Sequence, residues 1–181
     1  MKIRRVVAAV GADGKSRFIE DDFAPCSAEF TSAPGYAAAL VWATESDDFL
    51  SRGKNGTDIT RSVGFVPKEG ESRLMIATFP PDSWMMRADF DAVAFGSEFA
   101  QKLPGFAETF EPEHPGMHTT DSVDYDVVLE GELTLELDDD QEVLLRKHDV
   151  AVQYGTRHAW RNRSEQPATI LFVMLGAKRS P

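Results

Sequence analysis

After Gly105 this chain reads as a run of short strand-like segments separated by turn residues, with no helical segment between them. FAETFEP (106–112), the 124–129 run, ELTLEL, EVLLR, VAVQ and ATILFVML follow one another at short intervals. LTLEL alternates, with Leu133, Leu135 and Leu137 on one face. Strands at this spacing predict a sandwich or barrel. A parallel α/β sheet would need helices between its strands, so the expected fold class is all-β.

The residues before Gly105 add further strands and one helix. IRRVVAAV, a turn at Gly11–Gly14 and SRFIE predict a hairpin. AALVWAT (38–44), SVGFVP (62–67) and SRLMIATFP (72–80) read as strands, the last two split by the turn KEGE. The stretch Ala24–Gly35 reads as a Pro-, Ser- and Gly-rich loop, and the polar stretch Glu45–Gly56 as an exposed loop. Ala92, Phe95, Phe99 and Leu103 recur at helical spacing; Asp89 or Asp91 caps that helix, and Pro104–Gly105 ends it. At 181 residues and 42% hydrophobic, one domain is expected: an N-terminal β extension (1–72), a strand plus helix (73–104) and a barrel (105–178).

Thirty acidic and 19 basic residues give a formal charge of −11. Such a surface repels phosphate backbones, which argues against a nucleic-acid partner. No apolar run approaches the roughly 20 residues that span a bilayer, and VVAAV is too short for a signal core. The expectation is a cytoplasmic chain with no membrane partner. Cys26 is the only cysteine, so no intrachain disulfide can form. Asp138–Asp140 reads as a solvated hairpin turn.

Two histidines carry the chemistry. His118 and His158 stand on separate strand-like segments. Side chains two apart on a strand share a face, so His118, Thr120 and Asp124 point one way, and His158, Trp160 and Asn162 share parity on a later strand. Rolling up the sheet brings the sets together. Two imidazoles and a carboxylate are donors for a divalent transition metal. Asp126 is a rival carboxylate of the right parity, whereas Asp121 would face away. His114, between Pro112 and Pro115, reads as an exposed loop residue. The alternative reading makes each histidine a hydrogen-bonded structural residue. Tyr125, Trp160, Met117 and Tyr154 serve either as apolar walls of a pocket or as ordinary core. Thr120 and Asn162 are candidates for supporting the ligands, and Arg157 and Arg161 alternate outward toward acidic partners.

These residues resemble the motifs of the cupin superfamily. His118, Thr120, three residues, Asp124, six residues and Gly131 follow its first motif; Gly155, His158 and Asn162 follow the end of its second. The resemblance covers about Gly105 to Leu175 and implies a double-stranded β-helix, or jelly roll, with a metal at His118, Asp124 and His158. The departures are Pro112 in place of the opening glycine, Thr120 for the second histidine, Asp124 for glutamate, Gln153–Tyr154 where a proline is expected, and Lys147 or His148 where the second motif's glycine belongs. The function expected is a metal-dependent enzyme (Fe, Mn, Zn or Ni) acting on a small oxygen-rich or carbonyl-containing metabolite. Asp126, or else Glu130, would move a proton. Lyase or isomerase chemistry is slightly favoured; a dioxygenase and a non-catalytic binding or sensing barrel are the alternatives. Proteins of this kind are often dimers through strands like those of the extension, which implies a homodimer.

Overall fold

The computed structural model describes residues 1–47 and 57–180. Most of the expected loop Glu45–Gly56 lies outside them. β1 (Arg4–Val10) and β2 (Ser16–Phe23) form the expected hairpin. β3 (Cys26–Glu29), β4 (Ala37–Thr44) and β5 (Ser72–Phe79) precede helix α1 (Ala92–Lys102). Then come β6 (Ser122–Glu130), β7 (Glu132–Glu136), β8 (Glu142–Arg146), β9 (Val150–Tyr154), β10 (Ala159–Arg161) and β11 (Ala168–Gly176). One sheet has the order β3-β4-β5-β11-β6-β9 and the other β10-β7-β8. Val128, Ile170 and Phe172 from the large sheet share one core with Leu133, Leu145 and Trp160 from the small one. The two sheets form a double-stranded β-helix, with β4 and β5 from before the helix continuing the large sheet beside β11.

Local chemistry sets the corners. Gly131 joins β6 to β7 at φ +72°, and a Cβ there would meet the Pro167 carbonyl at 2.8 Å; only glycine fits both demands. At the β8–β9 turn, His148 is held at φ +75°, a left-handed conformation that glycine favours. Of Lys147 and His148, the histidine therefore stands where the motif's glycine is expected. Asp91 caps α1, accepting from the Val93 and Ala94 N–H groups, as the sequence allowed. The helix lays Phe99 on Phe110, with ring centroids 5.3 Å apart, and Leu103 is fully buried at its end.

Three expectations are corrected. SVGFVP (62–67) is not a strand. Phe65 is buried, and its N–H bonds the Pro104 carbonyl at 3.0 Å, so tertiary anchoring overrides the local β pattern. FAETFEP is not a strand either: Ala107–Thr109 is a 3-10 turn. Phe106 and Phe110, four apart, pack their rings 5.4 Å from each other, and the Thr109 hydroxyl donates back to the Phe106 carbonyl. The loop read over Ala24–Gly35 contains a short strand, β3. No helix among the described residues is long and apolar enough to cross a membrane.

Candidate active site in the barrel interior

Alternation along β6 puts Ser122, Asp124, Asp126 and Val128 inside the barrel. His118 and His158 face each other across an antiparallel bridge at the approach to β10, bonding N–H to carbonyl in both directions at 2.9 and 3.0 Å. Their ring centroids are 4.2 Å apart. The structure thus joins the two histidines that the sequence separates by forty positions.

Each imidazole is fixed in one tautomer. His118 Nδ1 lies 3.1 Å from the Gly116 carbonyl, and His158 Nδ1 lies 3.0 Å from the Thr156 carbonyl. A carbonyl only accepts, so each Nδ1 carries the hydrogen and the neutral ring keeps a lone pair on Nε2. Burial, with the neighbouring His158, pushes His118 down to about 3, and burial also lowers His158. Both rings are neutral at physiological pH. Phe110 stacks on His118 at 4.6 Å, and Trp160 meets His158 edge-on at 6.3 Å.

The carboxylates occupy the large sheet. Asp126 has no exposed surface. Burial, reinforced by the charge of Asp124, raises it to about 7, although the Gln153 amide donates to its Oδ2 at 2.7 Å. Burial also raises Asp124, against hydrogen bonds from Ser122 and Thr120. Ser122 donates to Thr120 at 2.9 Å. Thr120 also lines a surface cavity of about 500 Å³, beside Asp121, Lys68 and Arg179. Among the described residues, three buried side-chain atoms have no partner: Asp124 Oδ1, Asp126 Oδ1 and Trp160 Nε1. Each such group costs about 1–3 kcal/mol if left unsatisfied.

The donor chemistry of the imidazole pair fits a divalent metal, since a ligating histidine usually bonds a carbonyl or carboxylate through its other nitrogen. The full trio is not gathered. Among the described residues, no group of three or more His, Cys, Asp or Glu is placed to hold a metal ion.

The remaining candidates sort by strand parity and hydrogen bonding. Tyr125, considered as a pocket wall, instead lies on the outer face of β6 at 44% exposure, because it alternates with Asp124 and Asp126. Tyr154 is likewise outward, whereas Met117 is buried. Glu130 ends β6 in solvent, away from the interior. Asn162 is fully buried, but its amide is used up: it donates to the Phe79 and Gln166 carbonyls and accepts from Ser164 N–H and hydroxyl. It braces a turn rather than supporting a ligand. Arg157 pairs with Glu111 and Asp138, and Arg161 with Glu136, so both face outward as expected. His114 is exposed. Asp121 pairs with Arg179 outside the barrel. Sequence reading passed over Gln153 and Ser122 as site groups; their inward parity was visible, but Gln153 reaches the site only because β9 pairs with β6.

Comparison with known proteins gives this barrel its class. Residues 106–174 match the cupin domain family, and the barrel is a cupin domain. Oryzines biosynthesis cluster protein J of Aspergillus oryzae is 49% identical over 82 residues, 42% of this chain and 46% of that protein. Phomopsin biosynthesis cluster protein D of Diaporthe leptostromiformis is 52% identical over 63 residues, 34% of this chain and 33% of that one. The cupin-domain-containing oxidoreductase virC of Hypocrea virens is 37% identical over 65 residues, 34% of each chain. The matches thus span between a third and a half of these relatives' lengths. Among solved structures, an ethanolamine utilization protein Q from Salmonella typhimurium aligns over 98% of this chain and 99% of its own, at 11% identity and a TM-score of 0.43.

Proposed function

We propose that this chain is a small-molecule enzyme of the cupin class that transfers protons on a carbonyl-bearing metabolite, as a lyase or isomerase does. The observation that carries this reading is the set of buried, partnerless atoms Asp124 Oδ1, Asp126 Oδ1 and Trp160 Nε1 within one barrel. A fold does not keep such groups without a use, because their desolvation opposes stability. A ligand with one acceptor oxygen and nearby hydroxyl or enol hydrogens would complete all three. In this reading the Trp160 indole donates to the acceptor oxygen, and Asp126, held in place by Gln153, takes or returns a proton. Arg157 and Arg161 are turned out to acidic partners, and the buried Arg73 is bonded to the Gly64 and Ser72 carbonyls and to Glu71. None of these arginines is free to pair with a substrate, which favours a neutral ligand over a polyanion.

His118 and His158 would hold a divalent transition ion through Nε2, and such an ion would act as a Lewis acid. The names of the relatives support a second reading, a cupin oxidoreductase. We further propose that the chain acts as a homodimer inside the cell, without nucleic acid or membrane.

The test is exchange of the proton α to a carbonyl. Small hydroxyketones are incubated with the protein in D2O, metal-supplemented or chelated, and followed by NMR. Deuterium incorporation that Asp126→Asn abolishes is expected. Oxygen uptake without exchange would move the assignment to the oxidoreductase reading, and neither signal across the panel would overturn both.

A further inference from the structure

The two carboxyls on the inner face of β6 are held by different kinds of group. The hydroxyls of Ser122 and Thr120 bond Asp124. The amide of buried Gln153 bonds Asp126, with Nε2 donating to Oδ2 at 2.7 Å. The register puts Gln153 opposite Asp124, and Ala151 opposite Asp126. The amide therefore passes its own cross-strand neighbour and takes the diagonal one, a span that a long side chain covers.

An amide has two ends, and a carboxyl group can bond either. Nε2 donates to a carboxyl oxygen, whereas Oε1 accepts the hydrogen of a carboxylic acid. The loop after β9 decides between them. The Thr156 hydroxyl donates to Gln153 Oε1 at 2.8 Å. With Oε1 occupied, Nε2 is turned to Asp126. In the reversed amide the hydroxyl would accept from Nε2, and its own hydrogen would lose the acceptor it has here. The carbonyl of the same residue takes the Nδ1 hydrogen of His158 at 3.0 Å. Thr156 thus bonds the histidine pair through its backbone and the carboxyl pair, by way of Gln153, through its side chain.

We infer that Thr156 is a positioning residue: its hydroxyl fixes the direction of the Gln153 amide, so that a proton taken by Asp126 goes to Oδ1 and not to Oδ2. This rests on the proton-transfer reading above and names the atom that carries the proton. Oδ2 already receives the amide hydrogen, and a hydrogen of its own would point at that N–H. Oδ1 is buried and without a partner, so it is the free end. In the transfer, the hydrogen on the carbon α to the substrate carbonyl passes to Oδ1. The C–H electron pair stays on the substrate as an enolate, and return of the proton restores the neutral ligand. Asp124 lacks this control, because a hydroxyl rotates freely whereas the Gln153 amide cannot exchange its ends without breaking both of its bonds.

NMR on the full chain, labelled with 15N and 13C, tests the inference. A through-hydrogen-bond coupling between Gln153 15Nε2 and Asp126 13Cγ reads the amide direction with no substrate present. It is expected in wild type and in Thr156→Ser, and is lost in Thr156→Val, with cooperative melts for all three. Thr156→Ala repeats the test without the second methyl group. In the hydroxyketone assay, α-proton exchange falls about tenfold or more in Thr156→Val, and Thr156→Ser keeps it. The 15N shifts of His158 show its hydrogen on Nδ1 throughout. A coupling that survives Thr156→Val overturns the inference, as does its absence from wild type. Loss of the His158 Nδ1 hydrogen in Thr156→Val also overturns it, since the hydroxyl would then hold the loop rather than the amide. A wild type that exchanges nothing, while the coupling behaves as expected, overturns the enzyme reading alone.

Discussion

The two faces of β6 are reversed relative to a solvated strand. Its inner face carries Ser122, Asp124 and Asp126, and its outer face carries Val123, Tyr125 and Val127. An ordinary half-solvated strand puts its carboxylates in water and its aromatic in the core. The inner face leaves Asp124 Oδ1 and Asp126 Oδ1 without a partner, which the proposed ligand would complete. The rest of the inner surface, under helix α1, shows what folding alone requires. There Phe30, Tyr36, Phe95, Phe99 and Phe106 pack ring on ring, and none of them contributes to the fully buried, unpartnered atoms.

The sharpest break of that contrast moves one carboxylate by a single position. Val128→Asp adds a third inward carboxylate where no polar partner waits, and urea melts should show a loss of about 4 kcal/mol or more. Val127→Asp, its outward neighbour, should cost about 1 kcal/mol or less. Equal losses would mean that the faces do not differ.

Asn162→Ala comes next. Four hydrogen bonds disappear, and the Gln166 carbonyl keeps only the Ser164 hydroxyl as donor, so a loss of about 2–3 kcal/mol is expected, with proton exchange unchanged at a temperature where the variant is folded. Lost exchange in a folded variant would return Asn162 to the site.

The pH dependence follows from Asp126. Its folded value of about 7 lies above the ordinary 3.8, so the folded state binds the extra proton between the two. That stability is complete below about pH 4 and is lost as pH rises through 7. His118 works in the opposite sense: its value falls from 6.5 to about 3, so its contribution is present above 6.5 and lost as pH falls. Comparing metal-free wild type with Asp126→Asn cancels the histidine. From pH 5 to pH 8 wild type should lose about 2–3 kcal/mol relative to the variant; parallel curves would show that Asp126 is ionised throughout. The smallest effect is at the helix cap, where Asp91→Ala should cost about 1 kcal/mol in thermal melts.

Much of this was legible before the structure, and the part that was not has one cause. Parity along β6 and the spacing of the helix stripe are local, and they gave the inward side of Asp124 and Asp126 and the position of α1. What failed depended on distant residues. Phe65 leaves its strand pattern for the Pro104 carbonyl, and Asn162 is used up by Phe79 and Gln166. Tyr125 was a different error, since its parity already placed it opposite Asp124. Cross-strand register, which gives Asp126 its Gln153, is absent from a single sequence.

The most direct test of the reversed strand is the stability of the double variant Asp124→Asn, Asp126→Asn, measured by urea unfolding at pH 8 without metal. If the inner carboxylates serve a ligand, the variant is at least as stable as wild type, by about 1 kcal/mol, and α-proton exchange is gone. A loss of more than about 2 kcal/mol would show that they hold the barrel together instead.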